Sequence, residues 1–430
     1  MNKSSVIGKI LIVGDLRLKS PLLIGDGAGE TSDNFRDIHA LKNRRGEPFI
    51  PGTSLCGVLR DWLANVDAVA VPKIFGDLKE MQSSIQADDI ALEDGKIISR
   101  DGVRIDSVTG AGVDGGKYDY EAVERGATGS LRLLVTLRGV HDVEKISNVV
   151  ARLLGKLQDG IRLGALTSKG FGRAAAENLR ADFYDFRNKA DVAAWFTGKG
   201  AANKILPSTE NFSASEDDFV VDAAFQFNSS FIIRDGDATL KSREDFVLPG
   251  TSLKGILRHR AEYILSRLGI DAKTLNGLMG SSSDDQKIKS RFIVAESYIA
   301  PENFAEVEHT RTKIDRFTGG TLQGTLFTTT PAYQKNFDAP TLSIRFEIRN
   351  AADSDAGLAI FLLRDLWLGR VAVGGEKSIG RGTLKGLSAT INFRGKTYTL
   401  GANGKVIGGD KTELENFAAA LKNFAGGDGK

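Results

Sequence analysis

PGTSLKGILR, residues 249–258, repeats an earlier stretch, PGTSLCGVLR, at residues 51–60. Eight of the ten positions are identical, with Cys56 in place of Lys254 and Val58 in place of Ile256. Agreement at this level across 198 residues points to an internal duplication. The stretch has a readable local physics. Pro-Gly ends an extended run, Thr53 and Thr251 are expected to cap, and Leu55, Val58, Leu59 and Trp62 recur at helical spacing. Arg60 and Arg258 fall inside the helix, whose N-terminal N–H groups would favour phosphate.

Working outward, the same landmarks occur in the same order twice. The first copy opens with an alternating run over residues 9–25, followed by a polar loop (26–47), the Pro-Gly turn and a helix. Residues 67–129 lose the periodicity and read as an insertion. Leu131, Leu133, Val135 and Leu137 then alternate as a strand, and Ile146, Val149, Leu153 and Leu157 mark a second helix. The copy closes on IRLGALTSKGFGR (161–173), a strand, and a short helix near 191–196. In the second copy the opening strand is expected over Phe225–Ile233 and the first helix over 251–268. The insertion follows over 290–332, then the strand at 342–348, the second helix over 355–367 and the close, VAVGGEKSIGRGT (371–383). Gly164, Ser168, Gly170 and Gly172 match Gly374, Ser378, Gly380 and Gly382 at a constant offset of 210. Ile105-Asp106 with Thr109-Gly110 matches Ile314-Asp315 with Thr318-Gly319 at an offset of 209.

These landmarks predict two tandem domains, at 1–205 and 219–430, joined by a Ser-, Glu-, Asp- and Pro-containing linker at 206–218. Strand, helix, insertion, strand, helix and glycine-rich strand make a βαββαβ unit. The expected class is therefore α+β, two ferredoxin-like or RRM-like domains, each with an insertion and a C-terminal glycine-rich segment. At 430 residues, with 41% apolar and 26% charged, the chain has ample core for both. No apolar run approaches the length of a membrane span, and residues 1–9 do not read as a leader, so a cytoplasmic protein without a membrane partner is expected. A single cysteine, Cys56, excludes an intramolecular disulfide or a zinc ribbon, and a net charge of +2 excludes a strongly basic chain.

The PGTSLKG turn, the insertion carrying HTRTKIDRFTGG (309–320) and the G-x-x-x-S-x-G-x-G-R close together resemble the RAMP superfamily. More narrowly they resemble the backbone RNA-binding subunits of type III CRISPR effector complexes, here with two copies fused. The resemblance implies an RRM-like palm along CRISPR guide RNA and a thumb, 309–320, that displaces nucleotides at intervals. It also implies a target single-stranded RNA and neighbouring effector subunits, including a polymerase-like large subunit. In several such subunits an aspartate before the Pro-Gly turn cleaves the target with Mg²⁺ or another divalent cation. Asp37, in DIHALKNRRGEPFIPG, matches that pattern and is the implied catalytic and metal residue, with Asp26 and Asp33 as alternatives and Asp235 as the second-copy counterpart.

The chemistry is coherent with that assignment. Mg²⁺ keeps much of its hydration and needs one or two carboxylates when phosphate supplies other ligands. Taken alone, each of these aspartates also reads as a solvated loop carboxylate. Lys42, Arg44 and Arg45 would meet backbone phosphates beside Asp37. Ser54, Arg60, Ser252, Lys254 and Arg258 belong to the repeated turns, and Lys169, Arg173, Lys377 and Arg381 to the glycine-rich closes. Arg104, Arg311, Lys313 and Arg316 lie in the insertions, mixed with Ile105, Ile314 and Phe317 as single-strand binders require. Arg316 corresponds to Ser107, so the first insertion is less basic. No aromatic RNP1 pattern, Walker loop or metal-spaced histidine pair is present, and His141, expected to begin the second helix, and His259, within a helix, read as structural. His39, near Asp37, is the one histidine placed to orient RNA.

Overall fold

The computed structural model describes residues 5–27, 38–77, 82–210, 215–283 and 286–424. It is a mixed α/β protein of two compact units. The first is residues 1–167 with 171–213, and the second is 214–430 together with Ser168–Gly170.

In the first unit β1 (Val6–Leu18) leads to α1 (Gly52–Val66) and β2 (Ile85–Ala87). Then come β3 (Ile97–Ile105), β4 (Gly112–Val123), β5 (Thr128–Arg138) and α2 (Val143–Asp159). The short strand β6 (Lys169–Gly170) belongs to the second unit, and β7 (Arg173–Asp185) and α3 (Lys189–Phe196) complete the first. The main sheet runs β7–β1–β5–β2, antiparallel throughout. Alternation puts Ile10, Ile12, Leu16, Leu131, Leu133 and Val135 on the face that α1 and α2 cover. Helix α2 is capped by Asp142, whose carboxylate accepts from Lys145 N, and buries Ile146, Val150, Leu153, Leu154 and Leu157. Burying each such side chain stabilises by about 1.5–3 kcal/mol. The described part of residues 67–129 is far more ordered than its composition suggests. It holds a β3–β4 hairpin paired from Ile97–Val123 to Ile105–Gly112.

The second unit repeats the plan. Its elements are β8 (Phe219–Phe227), α4 (Gly250–Arg267), β9 (Phe292–Ala295), β10 (His309–Arg311), β11 (Phe327–Thr329), β12 (Leu342–Ile348) and α5 (Asp353–Trp367). β13 (Leu384–Phe393), β14 (Lys396–Leu400) and α6 (Lys411–Phe424) follow. The sheet order is β14–β13–β8–β12–β9–β6, antiparallel except for the last pair. Phe219, Val221, Phe225, Ile344, Phe346 and Ile348 form its core with Leu253, Leu257 and Leu362.

Three local expectations change. The opening strand of the second unit begins at Phe219, six residues before Phe225, and stops at Phe227, with only Ser230–Phe231 extended beyond it. Neither Thr53 nor Thr251 caps: Pro51 and Pro249 occupy the N-cap positions without a side-chain hydrogen bond. The helices begin at the glycine because that residue lies against backbone. A Cβ at Gly52 would collide with the Ala87 carbonyl, and one at Gly250 with the Lys169 carbonyl. His141 does not begin α2; its Nδ1 accepts from Arg138 N at 3.0 Å in the preceding turn.

Candidate nucleic-acid interface

The repeated turn is buried at its centre. Lys254 is 6% exposed, and its ammonium donates to Ser168 Oγ (3.0 Å), Ser290 Oγ (2.7 Å) and the Phe292 carbonyl (2.9 Å). All three of its protons are therefore directed into the protein. Desolvation, with Lys169 and Arg258 nearby, still pushes its pKa down to about 7. Burial, with the Arg258 charge beside it, also lowers Lys169. Arg258 is spent on Glu262 (3.2 Å), the Gly280 carbonyl (2.9 Å) and Asn276 (3.0 Å). Ser252 and Ser54 are half-buried in the first helical turns, and Arg60 is exposed on α1. Cys56 packs against the first core, and burial raises its thiol.

The closing segments share a backbone shape but not a chemistry. Leu166 and Glu376 stand at equivalent positions, and both take a left-handed φ of +56°. In the first unit Leu166 packs on a small cluster of Leu23, Tyr120, Ala122 and Phe171, where the Tyr120 and Phe171 rings meet edge-on at 5.8 Å. In the second unit Glu376 accepts from Arg311 (2.5 Å), Arg234 (3.1 Å) and Arg381 (2.7 Å). Burial alone would raise this carboxyl, but Arg311 and Arg381 hold it below the usual range. Arg381, at the place of Phe171, is 4% exposed and also donates to Ser230 and Tyr333. Arg173 and Lys377 are exposed on these segments.

The two insertions end in one turn built twice. Asp106 Oδ1 accepts from the N–H groups of Val108 (3.0 Å) and Thr109 (2.7 Å) and from Thr109 Oγ1 (2.9 Å). Asp315 Oδ1 does the same with Phe317 (2.9 Å), Thr318 (2.8 Å) and Thr318 Oγ1 (3.1 Å). These bonds hold the Asp315 carboxyl below its ordinary value. The turn raises one apolar residue at the tip: Val108 in the first unit and Phe317 in the second, each 91% exposed. Arg104, Lys313 and Arg316 are exposed beside the tips, whereas Arg311 is drawn inward to Glu376 and Thr329. Charge density and the interleaved apolar residues pointed to the arginines and to Phe317; Val108 and Glu376 were missed. The D-x-x-T-G spacing, an Asx-turn signature, is the signal that could have located the tips.

The metal assignment falls largely outside the described residues, since both Asp33 and Asp37 lie there. Asp26 is exposed, with its N–H directed to the His39 carbonyl at 3.2 Å. Asp235 is exposed in the short hairpin formed by 234–235 and 238–239. Among the described residues no three His, Cys, Asp or Glu side chains gather as a metal site. Close by, Glu121 gathers the Ala40 N–H (3.1 Å), Lys42 (3.4 Å) and His39 (3.7 Å). Burial opposes its ionisation, but Ala40 and Lys42 hold the carboxyl low. Lys42 and His39 are thus already engaged, while Arg44 and Arg45 are exposed on the Asn43 turn.

Among the described residues no helix is long and apolar enough to cross a membrane. A family model described as RAMP superfamily matches residues 15–175 and 193–385. No curated protein matches.

Proposed function

The chain belongs to the RAMP superfamily, and from that premise we propose that it is a backbone subunit of a type III CRISPR effector complex that binds guide RNA. Membership already suggests a CRISPR-associated RNA-binding protein. The narrower reading rests on one observation above all: two thumbs closed by the same Asp turn, each lifting a single apolar residue into solvent. An apolar tip beside exposed cations is suited to stacking on or wedging between bases, with the phosphates neutralised nearby. The order β7–β1–β5–β2 and its counterpart in the second unit support a ferredoxin-like palm in each copy. We assign these palms to 1–205 and 219–430, with 206–218 as linker.

In this reading the first copy also cuts the paired target RNA. Asp37 would hold a divalent cation, which when bound supplies positive charge to the scissile phosphate. Arg44 and Arg45 would position the strand through neighbouring phosphates. Asp26, Asp33 and, in the second copy, Asp235 are the alternative carboxylates. The assembled complex would include a polymerase-like large subunit and work in the cytoplasm.

The test is Asp37→Ala in the assembled complex, supplied with matched target RNA and Mg²⁺. Guide RNA stays bound and cleavage falls by at least a hundredfold at the corresponding site. Cleavage that persists at every position sinks the catalytic assignment. A second reading is a scaffold that binds guide RNA and does not cut, for which the assembled complex leaves matched target RNA intact in Mg²⁺. A metal-independent processing nuclease is the third, and cleavage of precursor RNA by the isolated chain in EDTA would favour it.

A further inference from the structure

Arginines of the second unit gather where α4 meets the end of α5. The fully buried Asp365 carboxylate accepts from Arg260 Nε at 2.7 Å and from Arg364 Nη2 at 3.1 Å, and Arg370 Nη1 lies 3.6 Å from it. Arg260 also lies over the Tyr263 ring, 4.6 Å from its centre, and Arg267 over the same ring at 5.2 Å. Arg364 lies 4.8 Å from the centre of the Phe361 ring. Four guanidiniums therefore gather around one carboxylate.

Holding Asp365 does not require so many. Arg260 alone, with 24% of its side chain exposed, gives the carboxylate a short charge-assisted bond. Arg364 and Arg370 keep about half of their side chains in solvent, at 47% and 54%. Each guanidinium carries five donors, so most of theirs remain directed outward. The fold also does without the cluster, since Trp62 and Asn65 stand at the repeat positions of Arg260 and Tyr263.

The shape of the charge selects the partner. A nucleic-acid strand is met by cations spread along a groove and by open rings on which bases stack. Here the guanidiniums converge on one point, and the Tyr263 and Phe361 rings already carry guanidiniums. Tyr263 and Leu368, exposed among the arginines, give instead the mixture found in protein interfaces. Ion pairs and rings fix the arginines beforehand, which lowers the entropy cost of docking.

We propose that this face of the second unit docks an acidic segment of a partner protein other than this chain. Aspartate or glutamate side chains of the segment pair with Arg364 and Arg370, whose planar forks suit bidentate carboxylates. An apolar side chain beside them covers Leu368. Asp365 is a positioning residue: it holds the guanidiniums and is buried away from the partner. The proposal is independent of the RNA reading, because the thumbs and the repeated turns take no part in it.

The test uses the full chain, freed of RNA by nuclease, and three labelled probes. They are a peptide of Glu, Asp and Leu, its twin with Gln and Asn in place of the acids, and a uridine oligonucleotide. Fluorescence anisotropy should show the acidic peptide bound and its twin at least tenfold weaker. Arg364→Gln with Arg370→Gln should weaken the acidic peptide at least tenfold and the oligonucleotide less than twofold. Circular dichroism should show the fold retained, because Arg260 stays on Asp365. Should that chain misfold, Arg370→Gln alone carries the test, with a loss of at least threefold expected. Equal binding of the two peptides, or an acidic peptide insensitive to these variants, overturns the proposal. So does an oligonucleotide that loses as much affinity as the peptide, or self-association of the chain that the same variants abolish.

Discussion

The joint between thumb and closing segment is built on aliphatic and aromatic side chains in one unit, with the buried Arg100 over the Phe171 ring, and on an ion-pair network in the other, on the same backbone. Leu166 with Phe171 and Tyr120 does in the first what Glu376 with Arg381, Arg311 and Arg234 does in the second. Both units hold the leading residue at φ +56°, so the strained turn is the shared requirement and the side chains are two ways of fastening it. The apolar solution tolerates small changes of shape. The ionic one has a buried charge at stake, and removing either partner leaves the other desolvated.

That contrast gives the largest expected effect. Glu376→Ala should destabilise the second unit by about 3–5 kcal/mol, because Arg381 remains buried without its carboxylate. The double variant Glu376→Leu with Arg381→Phe, which transplants the first unit's chemistry, should recover most of the loss. Urea unfolding of the three chains checks both statements, and a double variant weaker than Glu376→Ala breaks the comparison.

Next in size is Lys254, whose counterpart Cys56 carries no charge. Its pKa is about 7 in the fold and about 10.4 in the unfolded chain. Between those values the unfolded chain binds more protons, so stability rises with pH through the window and is flat below it. The rise should amount to a few kcal/mol. Lys254→Met should remove it, which unfolding midpoints measured from pH 6 to pH 10 would reveal. Phe171→Leu should cost only about 1 kcal/mol, since the cluster can close on a residue of similar shape.

The smallest effects on stability are expected at the tips. Val108→Ser and Phe317→Ser should change stability by less than about 0.5 kcal/mol, both residues being 91% exposed. RNA affinity should fall, and more for Phe317, because an aromatic ring stacked on a base contributes about 1–3 kcal/mol. Filter binding at fixed salt separates the two variants.

Much of the fold could be read from the sequence because duplication showed every landmark twice. Strand alternation at 131–137 and 342–348 and helical spacing at 146–157 were legible because burial there follows simple periods. The site was less legible. A lysine or arginine in a sequence declares its charge but not its direction, and Lys254, Arg258, Arg311 and Arg381 all turn inward to protein acceptors. The Thr53 and Thr251 caps failed because a close backbone contact at the glycine fixes the helix start. Residues 168–170 gave no sign of belonging to the second unit, since a three-residue strand leaves no pattern.

The central claim is that both thumbs grip RNA through their raised tips. Ultraviolet cross-linking of the native complex, followed by mass spectrometry of RNA-bearing peptides, tests it directly. The account predicts cross-linked peptides covering 104–109 and 313–318, with the stronger yield at Phe317. Abundant RNA cross-links elsewhere, with neither tip represented, would contradict it.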